Sequence, residues 1–221
     1  MKRIFRNRLK LRKEAAILSG IDHPNVVKLI GLSIADDRLM LVMELVPRGS
    51  LRSVLSSSSA HLLSWPQKLS FLRDAALGIA HLHSRQILHR DVKSSNLLVD
   101  SNMTVKVADF GFATTKVDNG TMTRCGTPSW TAPEILSPPS DGAKTRYTEK
   151  ADVYSFGIVM WEVLTQELPY HDQDVMQVAM EVLGGGRPPV PPDCAEGFGQ
   201  LMQSCWHQDP QQRPDMDTVV M

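Results

Sequence analysis

"HRDVKSSNLLVD", residues 89–100, sets Asp91, Lys93 and Asn96 close together on a loop that runs into the β-prone Leu97–Val99. Such a cluster suits a solvated turn, a metal site, or a place where a hydroxyl attacks a phosphate. Its surroundings narrow the choice. Upstream, Ser64 followed by Trp65-Pro66 supplies a cap and first turn, and Leu69, Leu72, Ala76, Ile79 and Ala80 form an apolar stripe, which predicts a helix to about His83. Downstream, Leu97–Val99 and Val105–Val107 are short β-prone runs with Asp-Ser-Asn between them. The cluster is therefore expected on a loop between a long helix and a hairpin.

Further out, residues 8–19 place Leu11, Ala15 and Leu18 at helical spacing before Gly20, giving a short amphipathic helix that carries Glu14. Val26 to Leu32 and Leu39 to Val46 flank Ala-Asp-Asp-Arg and read as a hairpin, broken after Val46 by Pro47, Gly49 and Ser50. Residues 51–63 read as a short helix fading into the serine run 56–59, a surface loop. Residues 111–131, rich in Thr and Gly, form a long loop of the kind that is functional or disordered. Residues 152–165, DVYSFGIVMWEVLT, are apolar nearly all round, as in a helix buried on every side. After the loop at 184–192, helical segments are expected near 195–206 and from 214 onward. The expected fold class is α+β: a small β-containing part with one helix, then a larger, mostly helical part, hinged near Leu45 to Gly49.

Composition excludes several classes. The 221 residues are 42% hydrophobic and 22% charged, with 24 cationic and 24 acidic side chains, so no general attraction to nucleic acid or anionic membrane is expected. Cys125, Cys194 and Cys205 are odd in number and far apart, which fits a reducing compartment, and no Cys or His pair has zinc-ligand spacing. No run reaches the roughly 18 apolar residues of a membrane span. The expected location is the cytoplasm.

Order and spacing give the cluster its meaning. After Asp91 come Lys93 and Asn96, then Asp109-Phe110-Gly111 beyond the hairpin, then Ala132-Pro133-Glu134 after the Thr-rich loop. In this the chain resembles the eukaryotic protein kinases from about residue 2 to its end. The resemblance implies a two-lobed kinase fold, ATP as phosphate donor, Mg²⁺, and Ser or Thr hydroxyls of proteins as acceptors. It implies that Asp91 accepts the hydroxyl proton, Lys93 neutralises charge on the γ-phosphate, and Asn96 and Asp109 supply oxygen ligands to Mg²⁺. Met43 to Val46 would form the hinge, with backbone groups of Glu44 and Val46 on adenine and Leu98 beneath the ring. Lys93 and Thr127 favour Ser/Thr acceptors. Ser129 to Glu134 and Asp152-Val-Tyr-Ser-Phe-Gly resemble the tyrosine-kinase-like branch. Arg90 would read a phosphate on the Thr-rich loop, with Thr121 and Thr123 the best-placed acceptors. Glu134 and Arg213 would pair, Asp152 would hold backbone amides of the 89–96 loop, and His89 and Phe110 would stack with Leu18.

One part of the pattern departs. No Gly-x-Gly-x-x-Gly precedes the residues that match, the first glycine being Gly20. Lys2 is assigned as the phosphate-binding lysine with Glu14 as its ion-pair partner, against the plainer alternative that Lys2 is one cation of a basic N-terminus. The chain is accordingly expected to be an N-terminally truncated kinase domain, residues 1–46 from the small lobe and 47–221 from the large one. A non-catalytic kinase-like interaction module is the alternative function, and regulatory proteins are expected partners under either. A small-molecule phosphotransferase is disfavoured by Gly126-Thr127-Pro128.

Overall fold

The computed structural model describes residues 8–35, 38–115, 128–137 and 147–220. Lys2, Thr121, Thr123 and Thr127 lie outside the described residues, as does the turn expected between the first two strands.

The chain begins with α1 (Arg8–Leu18), whose Leu11, Ala15 and Leu18 are buried as their spacing requires, with Glu14 only 3% exposed beside them. β1 (Leu29–Ala35) pairs antiparallel with β2 (Arg38–Met43), from Leu29 opposite Met43 to Ala35 opposite Arg38. Both strands are displaced from the expected runs. Val26 and Val27 belong instead to a connection laid against the hairpin described below, and Glu44 to Val46 run on unpaired with another strand. Along β1 the side chains alternate, and Ile30, Leu32 and Ile34 face outward.

Ser50 caps α2 (Leu51–Leu55) by accepting from the Ser53 amide. Ser64 caps α3 (Trp65–Ser84) in the same way through Gln67. Its buried face is Phe71, Leu72, Ala75, Ala76, Ile79, Ala80 and Leu82; Leu69, expected in the stripe, is 40% exposed. The short β3 (Ile87–Leu88) follows, then β4 (Leu97–Val99) paired with β5 (Val105–Val107) as the sequence implies. β6 (Thr114–Thr115) returns to pair with β3, a two-residue contact too short to have left a periodic signal.

The connection at 25–27 is sewn to β5. The Val107 amide donates to the Asn25 carbonyl at 2.8 Å, the Val27 amide to the Val107 carbonyl at 2.9 Å, and Asn25 Nδ2 to the Val105 carbonyl at 3.0 Å. α3 packs beneath this seam at Gly78, where a Cβ would stand 2.4 Å from the Asn25 carbonyl oxygen. A larger residue there would push the seam off the helix.

The remaining helices are α4 (Pro133–Leu136), α5 (Glu149–Thr165), α6 (Val175–Leu183), α7 (Glu196–Cys205) and α8 (Met216–Val220). α5 is the axis of the body, with residues 151–163 all buried. α4 and α6 escaped the sequence reading. α4 is a single turn, and α6, VMQVAMEVL, exposes Val175, Met176 and Met180 as well as burying Val178 and Val182, so Gln177 and Glu181 are all that mark its polar side. Glu134 and Arg213 form the expected pair, bidentate at 2.8 Å on each oxygen. The Arg213 side chain is fully buried, but Glu134 keeps a quarter of its surface exposed.

Candidate active site

The loop after β3 is folded onto the start of α5. Asp152, near the first turn of that helix, is 1% exposed; its Oδ2 accepts from the His89 amide at 2.9 Å and its Oδ1 from the Arg90 amide at 2.8 Å. His83 from α3 meets Oδ2 through Nε2 at 3.0 Å. Burial alone would raise this carboxyl, but the His83 contact and the Arg90 amide outweigh it and hold Asp152 below its ordinary value. Arg90 itself takes a left-handed backbone, φ 69°, which turns the chain at this point, and its guanidinium lies 4.8 Å from the centre of the Tyr147 ring.

His89 fixes the next step. Its Nε2 lies 3.0 Å from the Ala108 carbonyl, which can only accept, and its Nδ1 lies 3.3 Å from the Asp91 amide, which can only donate. The ring is therefore a neutral imidazole with its proton on Nε2. Phe110 meets it edge to face at 5.3 Å. Phe110 and Leu18 both belong to the buried core, and α1 packs against the turn that begins at Phe110.

Asp91, 7% exposed, uses one oxygen for its neighbours. Oδ2 receives Lys93 Nζ at 2.9 Å and Asn96 Nδ2 at 2.8 Å, while Asn96 Nδ2 also donates to the Asp91 carbonyl at 2.8 Å. Among the described residues Asp91 Oδ1 and Asn96 Oδ1 have no partner. The Ala108 amide closes the loop by donating to the Asn96 carbonyl at 2.9 Å, which brings Asp109 beside Asn96. Asp109 also has a left-handed backbone, φ 63°, and its Oδ1 accepts from the Gly111 amide at 3.3 Å. Thus the structure brings Asp91, Lys93, Asn96 and Asp109 together.

The donors available to a cation here are oxygens, the Asn96 amide and the Asp109 carboxylate. Two such ligands suit Mg²⁺, which keeps several waters and completes its shell on phosphate oxygens. Among the described residues no cluster of three or more His, Cys, Asp or Glu side chains forms a metal site of another kind.

On the far side of β4–β5, the segment after β2 is arranged differently. The Glu44 amide donates to the Lys28 carbonyl at 3.0 Å, and Glu44 Oε1 accepts from the Lys28 amide at 2.8 Å and Lys106 Nζ at 3.0 Å. These contacts hold the Glu44 side chain aside. The Glu44 carbonyl and the Val46 amide have no partner among the described residues. The Arg48 amide bonds the Val99 carbonyl, the Val99 amide bonds the Gly49 carbonyl, and Ser50 bridges Leu98, so the segment is fastened next to Leu98. Gly49 permits this with φ 76°.

Sequence reasoning missed Glu162. It is fully buried, with Oε1 accepting from Ser94 Oγ at 2.6 Å and Oε2 from Trp130 Nε1 at 2.7 Å, and Arg52 lies 3.4 Å from Oε1. The signal was available: it is the one charged residue between Val153 and Thr165. Burial raises its carboxyl, opposed by those three partners.

An α+β fold of this layout, with acidic and amide side chains gathered on two loops beside a short hairpin, is of the protein-kinase class. The chain belongs to the protein tyrosine and serine/threonine kinase family, whose model matches residues 2–221. It is 47% identical over 215 residues to a protein of Acanthamoeba polyphaga mimivirus provisionally named serine/threonine-protein kinase/receptor R818; the match covers 96% of this chain and 12% of that protein. The Dictyostelium discoideum proteins provisionally named serine/threonine-protein kinases drkD and drkA are 42% and 43% identical, over 95% and 96% of this chain and 16% and 32% of theirs. The chain thus spans from about an eighth to a third of the length of these relatives.

Proposed function

We propose that this chain is an ATP-dependent serine/threonine protein kinase domain that transfers the γ-phosphate of ATP to Ser or Thr hydroxyls of proteins in intracellular signalling. The observation that carries this is the division of labour on Asp91: Oδ2 is held by Lys93 and Asn96, and Oδ1 is left for a hydroxyl. The substrate hydroxyl donates to Oδ1, which orients its oxygen for attack on the γ-phosphorus. As the new O–P bond forms and the bond to the ADP oxygen breaks, Oδ1 receives the proton. Lys93, already beside Oδ2, balances negative charge at the same place.

Asn96 Oδ1 and the Asp109 carboxylate would hold Mg²⁺, which when bound neutralises phosphate charge. The Glu44 carbonyl would accept from the adenine amino group and the Val46 amide would donate to the ring, with Leu98 against its face. Lys2 with Glu14, which is buried on α1, would hold the inner phosphates. We place the boundary between lobes at Val46–Pro47, shortly after the end of β2 at Met43. A phosphate on Thr121 or Thr123, read by Arg90, would order the loop, and regulatory proteins would act there. Among the described residues no helix is long and apolar enough to cross a membrane, and a cytoplasmic location is part of the proposal.

The test is incubation with γ-labelled ATP, Mg²⁺ and dephosphorylated casein, followed by acid hydrolysis of the product. Label on phosphoserine and phosphothreonine is expected. Label on phosphotyrosine alone would overturn the acceptor assignment, and absence of transfer would favour the non-catalytic module.

A further inference from the structure

The connection between α1 and β1 meets the C-terminal end of α3 through two histidines. His23 and His81 lie face to face, with ring centroids 4.6 Å apart and planes within 20° of parallel. His23 Nδ1 accepts from the Asn25 amide at 3.1 Å, so that nitrogen carries no proton and the ring is neutral. His81 Nε2 is buried and has no hydrogen-bond partner among the described residues. The histidines paired with a carboxylate among those residues are His83 with Asp152 and His171 with Asp172, so neither stacked ring has an acid to hold a proton on it.

The remaining charges around the pair come from three directions. From β5 comes Lys106, itself paired with Glu44 at 3.0 Å. From α3, Arg85 donates to the Gly20 carbonyl at 2.9 Å, and Asp74 faces Asn25 while accepting from the Val105 amide at 2.9 Å. On the connection itself, Asp22 is exposed and paired with Lys28 at 3.1 Å. Burial, then His81 and Lys106, push the His23 imidazole below its ordinary value.

We propose that His23 and His81 form a proton-sensitive joint: acidification protonates the pair, breaks the bond from Asn25 to His23, and loosens the seam on β5 so that Mg²⁺-ATP is held less well at Asp109. The effect on the nucleotide rests on the kinase reading above. A proton on His23 Nδ1 would turn an N–H toward the Asn25 N–H, and a second proton would set two like charges across the stack. Asn25 is the pivot. Its carbonyl takes the Val107 amide, its side chain reaches the Val105 carbonyl, and Gly78 of α3 lies close beneath it. Asp109 stands two residues beyond Val107. Because the folded value of His23 is lowered, the contact is fully present above the ordinary value of 6.5 and is lost as the pH falls below it toward the folded value.

NMR titration of the histidine rings, combined with amide exchange, tests the joint without reference to activity. His23 is expected to titrate below 6.5 in the native chain. Between about pH 7.5 and about pH 5.5, protection of the Asn25 and Val107 amides should fall roughly tenfold, the order of one lost hydrogen bond. His23→Asn removes the proton site but keeps an acceptor for the amide two residues on, as Asn does in turns, so protection there should change by less than about twofold. His81→Phe keeps a stacked ring without its charge, and the His23 midpoint should rise. A native midpoint at or above 6.5, an equal loss of protection in His23→Asn, or an unmoved midpoint in His81→Phe would overturn the proposal. The native titration decides this even if a variant fails to fold. In calorimetry at about pH 6, the Kd for Mg²⁺-ATP should be about threefold higher in the unaltered chain than in His23→Asn, and equal in the two at about pH 8. Equal values at both would overturn the link to Asp109. If the unaltered chain binds no Mg²⁺-ATP at either pH, the kinase reading fails, while titration and exchange still decide whether the pair senses protons.

Discussion

The 89–96 loop and the 44–46 segment flank the same β4–β5 hairpin and treat their polar groups in opposite ways. In the loop, the amides of His89 and Arg90 are bonded to Asp152, and the Asp91 amide and the side-chain amide of Asn96 are bonded within the loop, leaving one oxygen on Asp91 and one on Asn96 without a partner among the described residues. In the segment, the Glu44 side chain is tied back while a backbone carbonyl and amide stay open and Leu45 is 83% exposed. The difference teaches what each can do. Chemistry needs a few atoms held rigidly by many bonds. Recognition of a flat base needs backbone groups left unsatisfied at an edge.

Breaking the wired side should have the largest effect on stability. Asp152→Ala removes three hydrogen bonds to a buried carboxylate and should cost about 4 kcal/mol in chemical denaturation. The same carboxyl makes a pH prediction. Its folded value is lowered, so the stability it supplies is fully present above the unfolded value near 3.8 and is lost as the pH falls through the lower folded value. Asp152→Ala should therefore flatten the acid limb of the stability profile; an unchanged limb would contradict the assignment.

Next in size is nucleotide binding through Asp109. At about 100 times its Kd, Mg²⁺-ATP should stabilise the chain by about 2.7 kcal/mol, and Asp109→Asn should remove most of that, read as a thermal shift. On the open side, replacing the Val46 amide by an ester should weaken ATP by about 1 kcal/mol, roughly fivefold, in calorimetry. An undiminished affinity would show that this edge does not meet the base. Smallest of all, Leu45→Ser should change stability by no more than about 0.5 kcal/mol, because that residue is 83% exposed.

The same contrast explains what could be read in the sequence. Residues whose order and spacing form a pattern announced themselves: Asp91, Asn96 and Asp109, which the fold gathers at one place, the Ser64 cap and the largely apolar α5. The strand ends did not, because Val26 and Val27 are as β-prone as Leu29 yet are paired across to β5 rather than along β2. Leu69 fits the period of α3 but lies at the edge of its buried face, where neighbours and not spacing set exposure. The open carbonyl of Glu44 and amide of Val46 are invisible in principle, since every residue has them and only the fold decides which stay unpaired. Glu162 was legible as an anomaly, the one charged residue between Val153 and Thr165, but its partners come from residues 68 and 32 positions away.

The central claim is that the wired loop carries the chemistry and the open edge carries only binding. Single-turnover transfer from γ-labelled ATP to casein, with Mg²⁺-ATP saturating, compares this chain with Asp91→Ala. The account predicts transfer slowed by about 10²-fold or more with ATP affinity unchanged. Equal rates in the two proteins would contradict it.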